Sequence, residues 1–149
     1  IEEALTICHA SRIGHGISVR EKISDNGEVL VTVGIAAELV DRGIALEVCP
    51  TSNIHTGIVD SIQSHPVTTF LNAGLTVTIN TDNRLMSSTS LTNEFLQCSN
   101  AFNWTWEEIT SITLNAVENA FLTQGERDKL VKRLDSWKRD NGMSNEGSK

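Results

Sequence analysis

Three polar groups in this sequence carry side chains able to do chemistry: His15 between Gly14 and Gly16, the run Pro50-Thr51-Ser52-Asn53, and the pair Asp82-Asn83. A carboxylate such as Asp82 can fix the direction in which a water attacks, and a positioned imidazole such as His15 can stabilise charge as it develops. The glycines beside His15 allow a close approach of backbone or ligand. Each group also has a plainer reading. Asp82-Asn83 can turn the chain or cap a helix, and His15 can be a hydrogen-bonded packing residue. His55 and His65 read as loop residues and not as ligands.

The elements that must hold these groups alternate along the chain. Leu75 to Asn80 alternates apolar and polar residues and is rich in β-branched types, which predicts a short strand ending just before Asp82. Ser11 to Gly16 reads as another short strand, leading into His15, and Ile44 to Cys49 as a third, leading into Pro50. Between them Ile35, Leu39 and Val40 predict a helix that stops at Gly43, and Ser64-His65-Pro66 opens another that ends at Gly74. The first residues, to about Ala10, have helical spacing, and the polar stretch from Ile17 to Val33, with Asp25-Asn26-Gly27 as a turn, reads as a strand-to-helix excursion.

Strands alternating with helices imply a parallel sheet joined by right-handed crossovers, so the three polar groups share the face at the carboxyl ends of the strands. Their spacing is about 38 residues from His15 to Asn53 and about 29 from Asn53 to Asp82. A (β/α)8 barrel has roughly 31 residues per unit. Three units form either a small open sheet or the closing part of such a barrel. After Asn83 the sequence predicts helices alone: Ser90 to Phe102, with Leu91, Phe95, Leu96 and Cys98 on the packed side, then two helices opened by Thr105-Trp106-Glu107-Glu108 and Thr123-Gln124-Gly125-Glu126, both with capping-box spacing. The tryptophans read as core fillers, and residues 141–149 as a frayed tail after a domain spanning 1–140.

Composition narrows the partners. The net charge is -7, and there is no basic cluster longer than the helical run Lys129 to Arg133, which argues against a nucleic-acid backbone as ligand. No run is apolar enough to span a membrane. Three cysteines at unrelated spacings argue against a disulfide framework and fit a reducing cytoplasm. The chain opens in a helical pattern without an initiator Met, and is expected to be cut from something longer.

The motifs Arg12-Ile13-Gly14-His15-Gly16, Cys49-Pro50-Thr51-Ser52-Asn53 and Asn80-Thr81-Asp82-Asn83, in that order, together resemble the carboxyl-terminal half of the adenosine deaminase family, metal-dependent hydrolases of the amidohydrolase superfamily. The resemblance extends to about Lys138. It implies the last three strands of a TIM barrel plus its carboxyl-terminal helices. The implied reaction is zinc-dependent hydrolysis of adenosine or deoxyadenosine to the inosine product and ammonia, with a purine nucleoside as the small-molecule partner. On this resemblance Asp82 is a zinc ligand and a catalytic residue, and His15 orients and stabilises the attacking hydroxide. Zinc lowers the pKa of water from ~15.7 to about 7, which is what makes hydroxide available at neutral pH.

The family's other zinc ligands and its catalytic Glu belong to motifs that would precede Ile1. His9, His55 and His65 lie in no matching context, and Cys49-Pro50 lacks the second Cys of a cytidine-deaminase zinc site. The missing amino-terminal half is therefore an expected partner, and the fragment is expected to be inactive alone, since a catalytic zinc takes at least three protein ligands. At Asn83 the family usually has an Asp that meets purine nitrogen 7; an Asn amide can donate to the same acceptor, which makes Asn83 the substrate-binding candidate. Two alternatives stand beside this reading: a deaminase of adenine or another 6-aminopurine, and a non-catalytic domain of the same fold that binds a nucleoside or a protein partner.

Overall fold

The structure, a computed structural model, describes residues 1–25, 27 and 29–143. Helix α1 spans Glu2–Thr6 and stops short of Ala10. Leu5 joins the core and Ala4 and Ala10 pack against it, but His9 takes a left-handed φ of 51°, which ends the helical run before Ala10. Strand β1 follows at Arg12–Gly14.

The stretch after His15 differs from the expected excursion. Ile17–Lys22 forms a 3-10 helix that buries Ile17 and Val19, and β2 (Ile23–Asp25) pairs antiparallel with β3 (Leu30–Thr32) as a separate hairpin. The Asp25-to-Gly27 turn joins these two strands, the Gly27 N–H donating to Asp25 Oδ1 at 2.8 Å, while Asn26 lies outside the described residues. The β-branched run of Val31, Thr32 and Val33 wins over the polarity of the segment.

Helix α2 (Ile35–Asp41) leads into β4 (Ala45–Val48). The polar group after β4 is helical, and so is His55, expected in a loop: α3 spans Pro50–His55 and begins on Pro50, whose fixed φ and missing N–H suit a first helical position. Helix α4 (Val67–Asn72) precedes β5 (Val77–Ile79). The rest is helical among the described residues: α5 (Arg84–Ser87), α6 (Leu91–Phe102), α7 (Trp106–Glu118) and α8 (Gln124–Asp140). Thr105 with Glu108 and Thr123 with Glu126 close both expected capping boxes. Of the proposed tail, residues 144–149 lie outside the described residues.

The sheet is parallel in the order β1-β4-β5. Its register sets Ile13, Leu46 and Val77 in one row and Val48 and Ile79 in another, both on the apolar face. Arg12, Glu47 and Thr78 lie on the opposite face, where the Arg12 guanidinium pairs with Glu47 at 3.1 Å and stacks over the Phe121 ring. The apolar rows join Leu39, Val67, Phe70 and Ile112 in one core. Burying Phe70 alone contributes about 1.5–3 kcal/mol.

Two packing expectations need correction. On α6 the inward side carries Glu94 and Cys98, with Phe95 half-buried, while Leu91 and Leu96 are exposed. Only Trp104 fills the core; Trp106 and Trp137 are largely exposed and meet edge to face at 5.6 Å. The two lie on different helices, α7 and α8, and the type of a residue does not tell a surface pair from a buried one.

Candidate functional site

The sheet's hydrogen bonds run past the strand ends and carry the candidate residues with them. His15 N–H donates to Glu47 O at 2.9 Å, and Asn80 N–H to Val48 O at 2.8 Å. Beyond these bonds the chain turns sharply: His15 has φ 59° and Asp82 φ 53°, both in the left-handed region that side-chain-bearing residues rarely adopt. Such conformations cost on the order of 1–3 kcal/mol each and cluster at functional sites. Gly16 follows in the same region at φ 70°, and a Cβ there would meet Leu46 Cδ2 at 2.7 Å, so the turn after His15 requires glycine.

The turns bring His15 Nε2 to 3.8 Å from Asp82 Oδ2, both side chains being about two-fifths exposed. Between them lies the first turn of α3. Ser52 Oγ donates to Asp82 Oδ2 at 2.7 Å, and Asn53 Nδ2 lies 3.0 Å from His15 Nδ1. The Ser52 hydroxyl, then the Asn83 N–H and His15, hold the Asp82 carboxyl below the usual carboxylate range, so it is ionised at neutral pH. Burial, then the Asp82 charge, pushes the Cys49 thiol up to about 12, which leaves it a packing group and not a nucleophile.

Asn83 does what its plainer reading predicts. Its Oδ1 accepts the N–H groups of Leu85 and Met86 at 3.1 Å and caps α5. Its Nδ2 makes no hydrogen bond among the described residues. A cleft of about 510 Å³ opens at Asp82, lined also by Asn80, Thr81, Arg84, Leu91 and Thr92, and Asn83 is not among its lining residues. Asp82 is the sequence-predicted metal-ligand candidate, its carboxylate partly exposed and oriented by the Ser52 hydroxyl on Oδ2. No group of three His, Cys, Asp or Glu able to hold a metal exists among them. The donor set therefore fits part of a zinc shell and not all of it.

The adenosine deaminase family profile matches residues 1–137. The chain belongs to the adenosine deaminase family. An adenosine deaminase of Mycobacterium sp. (strain KMS) is 41% identical over 132 residues, which are 88% of this chain and 36% of that protein. Among solved structures, the adenine deaminase of Arthrobacter aurescens superposes with a TM-score of 0.81 at 26% identity, over 93% of this chain and 39% of its own. The N6-methyl-AMP deaminase of Arabidopsis thaliana does so with 0.68 at 26%, over 85% and 34%. This adenosine deaminase family chain thus spans little more than a third of the length of the relatives it matches.

Sequence reasoning picks out His15, Asp82 and Asn83, and the structure brings His15 and Asp82 together. It passes over Glu94 and His65. Glu94 is fully buried and accepts Thr51 N–H at 3.0 Å and Thr89 Oγ1–H at 2.6 Å, anchoring the start of α3. His65 lies in a loop, as expected, but is buried and faces Asn53 Oδ1 at 3.2 Å. The signal available for Glu94 is a charge on the inward side of a helical pattern; for His65 there is none.

Proposed function

We propose that this chain supplies one face of the active site of a zinc-dependent deaminase of adenosine and deoxyadenosine. The observation that carries the reading is the approach of His15 Nε2 to Asp82 Oδ2, each held on a left-handed turn at the carboxyl end of a parallel strand. In this reading the chain is the carboxyl-terminal part of a TIM barrel, its last three strands and the helices after them. What supports the barrel is that the parallel strands lie side by side in chain order, without the reversal that marks a doubly wound sheet. Residues 1–140 form this part. The other zinc ligands, and the acid that protonates the purine, come from the amino-terminal half that the longer relatives carry.

Asp82 is the residue of this chain that would hold zinc, and the chemistry zinc supplies there is hydroxide at neutral pH. Ser52 fixes the carboxylate's orientation through Oδ2. His15 stabilises negative charge as water adds to carbon 6, before the amino group leaves as ammonia. The free amide of Asn83 reads purine nitrogen 7. A second reading, a deaminase of adenine or another 6-aminopurine, is favoured by the likeness to the Arthrobacter adenine deaminase. A cytoplasmic setting accords with Cys8, Cys49 and Cys98 as free thiols.

The test is metal analysis with an adenosine absorbance assay on the whole protein. Asp82→Ala is expected to lower both zinc content and rate, and His15→Ala to keep zinc and lower the rate by ~10²-fold or more. This chain on its own is expected neither to bind zinc tightly nor to turn over. Zinc lost from His15→Ala but kept in Asp82→Ala would sink the assignment.

A further inference from the structure

The hydrogen bonds that reach His15 start well away from it. The Val67 N–H donates to His65 Nδ1 at 3.1 Å, His65 Nε2 lies 3.2 Å from Asn53 Oδ1, and Asn53 Nδ2 lies 3.0 Å from His15 Nδ1. His65 is 3% exposed and Asn53 0%, so water does not compete for these bonds. Burial, with a smaller contribution from Arg20, pushes the His65 imidazole down to about 4, and at neutral pH it carries one N–H.

That one proton has a fixed place. A nitrogen that accepts the Val67 N–H cannot carry it, so it sits on Nε2 and is donated to Asn53 Oδ1. The Asn53 amide is then oriented with its NH2 group toward His15, and His15 Nδ1 must accept. We propose that Asn53 and His65 are positioning residues through which the Val67 N–H fixes His15 as the tautomer protonated at Nε2, the nitrogen that faces Asp82. The inference rests on the reading of His15 and Asp82 as the reacting pair and adds a direction to it. Held this way, His15 presents its Nε2–H to the site as a donor while Nδ1 is occupied by the Asn53 amide, so it is placed to stabilise developing negative charge.

Correlation spectra of the imidazole nitrogens and their protons at pH 8 read the His15 tautomer in the whole protein directly, whether or not it turns over. The native protein is expected to show Nε2–H. Asn53→Asp puts an acceptor in place of the donor, so His15 is expected to move its proton to Nδ1, with kcat falling by ~10²-fold or more and zinc content and KM nearly unchanged. His65→Leu removes the donor that orients Asn53 and should give mixed tautomers with a fall in kcat of roughly 5-fold or more. His65→Gln, whose amide N–H can replace that donor, should restore Nε2–H. Native His15 protonated at Nδ1, or Nε2–H retained in Asn53→Asp, would overturn the proposal, and the first of these needs no variant to fold. A native protein with Nε2–H and no activity on any 6-aminopurine supports the relay and defeats the deaminase reading instead.

Discussion

Buried His65 ties folding to pH in one direction. Its imidazole titrates near 6.5 in an unfolded chain and at about 4 in the folded one, because burial disfavours the cation and Arg20 adds to the effect. As pH falls the unfolded chain therefore takes up the proton first. Stability is full above about pH 6.5, declines as pH drops toward 4, and then levels off as far as this residue is concerned. A gap of about 2.5 between the two values, at ~1.36 kcal/mol for each pH unit, amounts to about 3 kcal/mol in all and about 2 kcal/mol by pH 5. The perturbation that isolates it is His65→Gln, which does not titrate. Urea midpoints followed by tryptophan fluorescence at pH 8, 6.5, 5 and 4.5 are expected to fall more steeply for the native protein than for His65→Gln. Asp82 and Glu126, whose carboxyls lie below their ordinary range in the folded state, also weaken stability in acid, but equally in both proteins. Parallel midpoint curves for the two proteins would refute the reasoning and mean that His65 is charged, or solvated, in the fold.

Glu94→Leu leaves the buried Thr51 N–H and the Thr89 hydroxyl without their acceptor and should lower unfolding free energy by about 1–3 kcal/mol, whereas Glu94→Gln, able to accept from one and donate to the other, should cost less. Equal losses in denaturant titration would show that Glu94 does not hold the start of α3. Asn83→Ala should cost ~1 kcal/mol of stability through the lost cap of α5. It should also lower catalytic efficiency on adenosine by roughly 5- to 150-fold, and by much less on 7-deazaadenosine, which lacks the ring acceptor. Equal losses on both substrates would mean that Asn83 supports the loop and does not read the ring.

The strands around His15, Pro50 and Asp82 are legible in the sequence because a buried parallel strand bounded by glycine or polar residues leaves a local mark, as Val77 and Ile79 do after Gly74. The two capping boxes are legible for the same reason: all their partners lie within four residues. The β2–β3 hairpin is missed because its polar residues look like a loop and its apolar ones are too few to show a period. His65 and Glu94 are missed for a different reason. Composition cannot distinguish a buried polar side chain from a solvated one, and the contacts of His65 with Asn53 and of Glu94 with Thr51 span 12 and 43 residues, so only the folded chain reveals that each is satisfied.

The left-handed turns at His15 and Asp82 also bear on how such a chain evolves. Glycine adopts those angles without steric cost, so at both positions selection for folding alone pulls toward glycine, and only selection for turnover holds the imidazole and the carboxylate in place. A lineage that keeps the protein abundant but no longer needs its product is expected to lose these two side chains early, while Phe70 and Leu46 stay. Among gene copies, glycine at positions 15 and 82 beside an intact core would mark the ones in which catalysis was abandoned before the fold was.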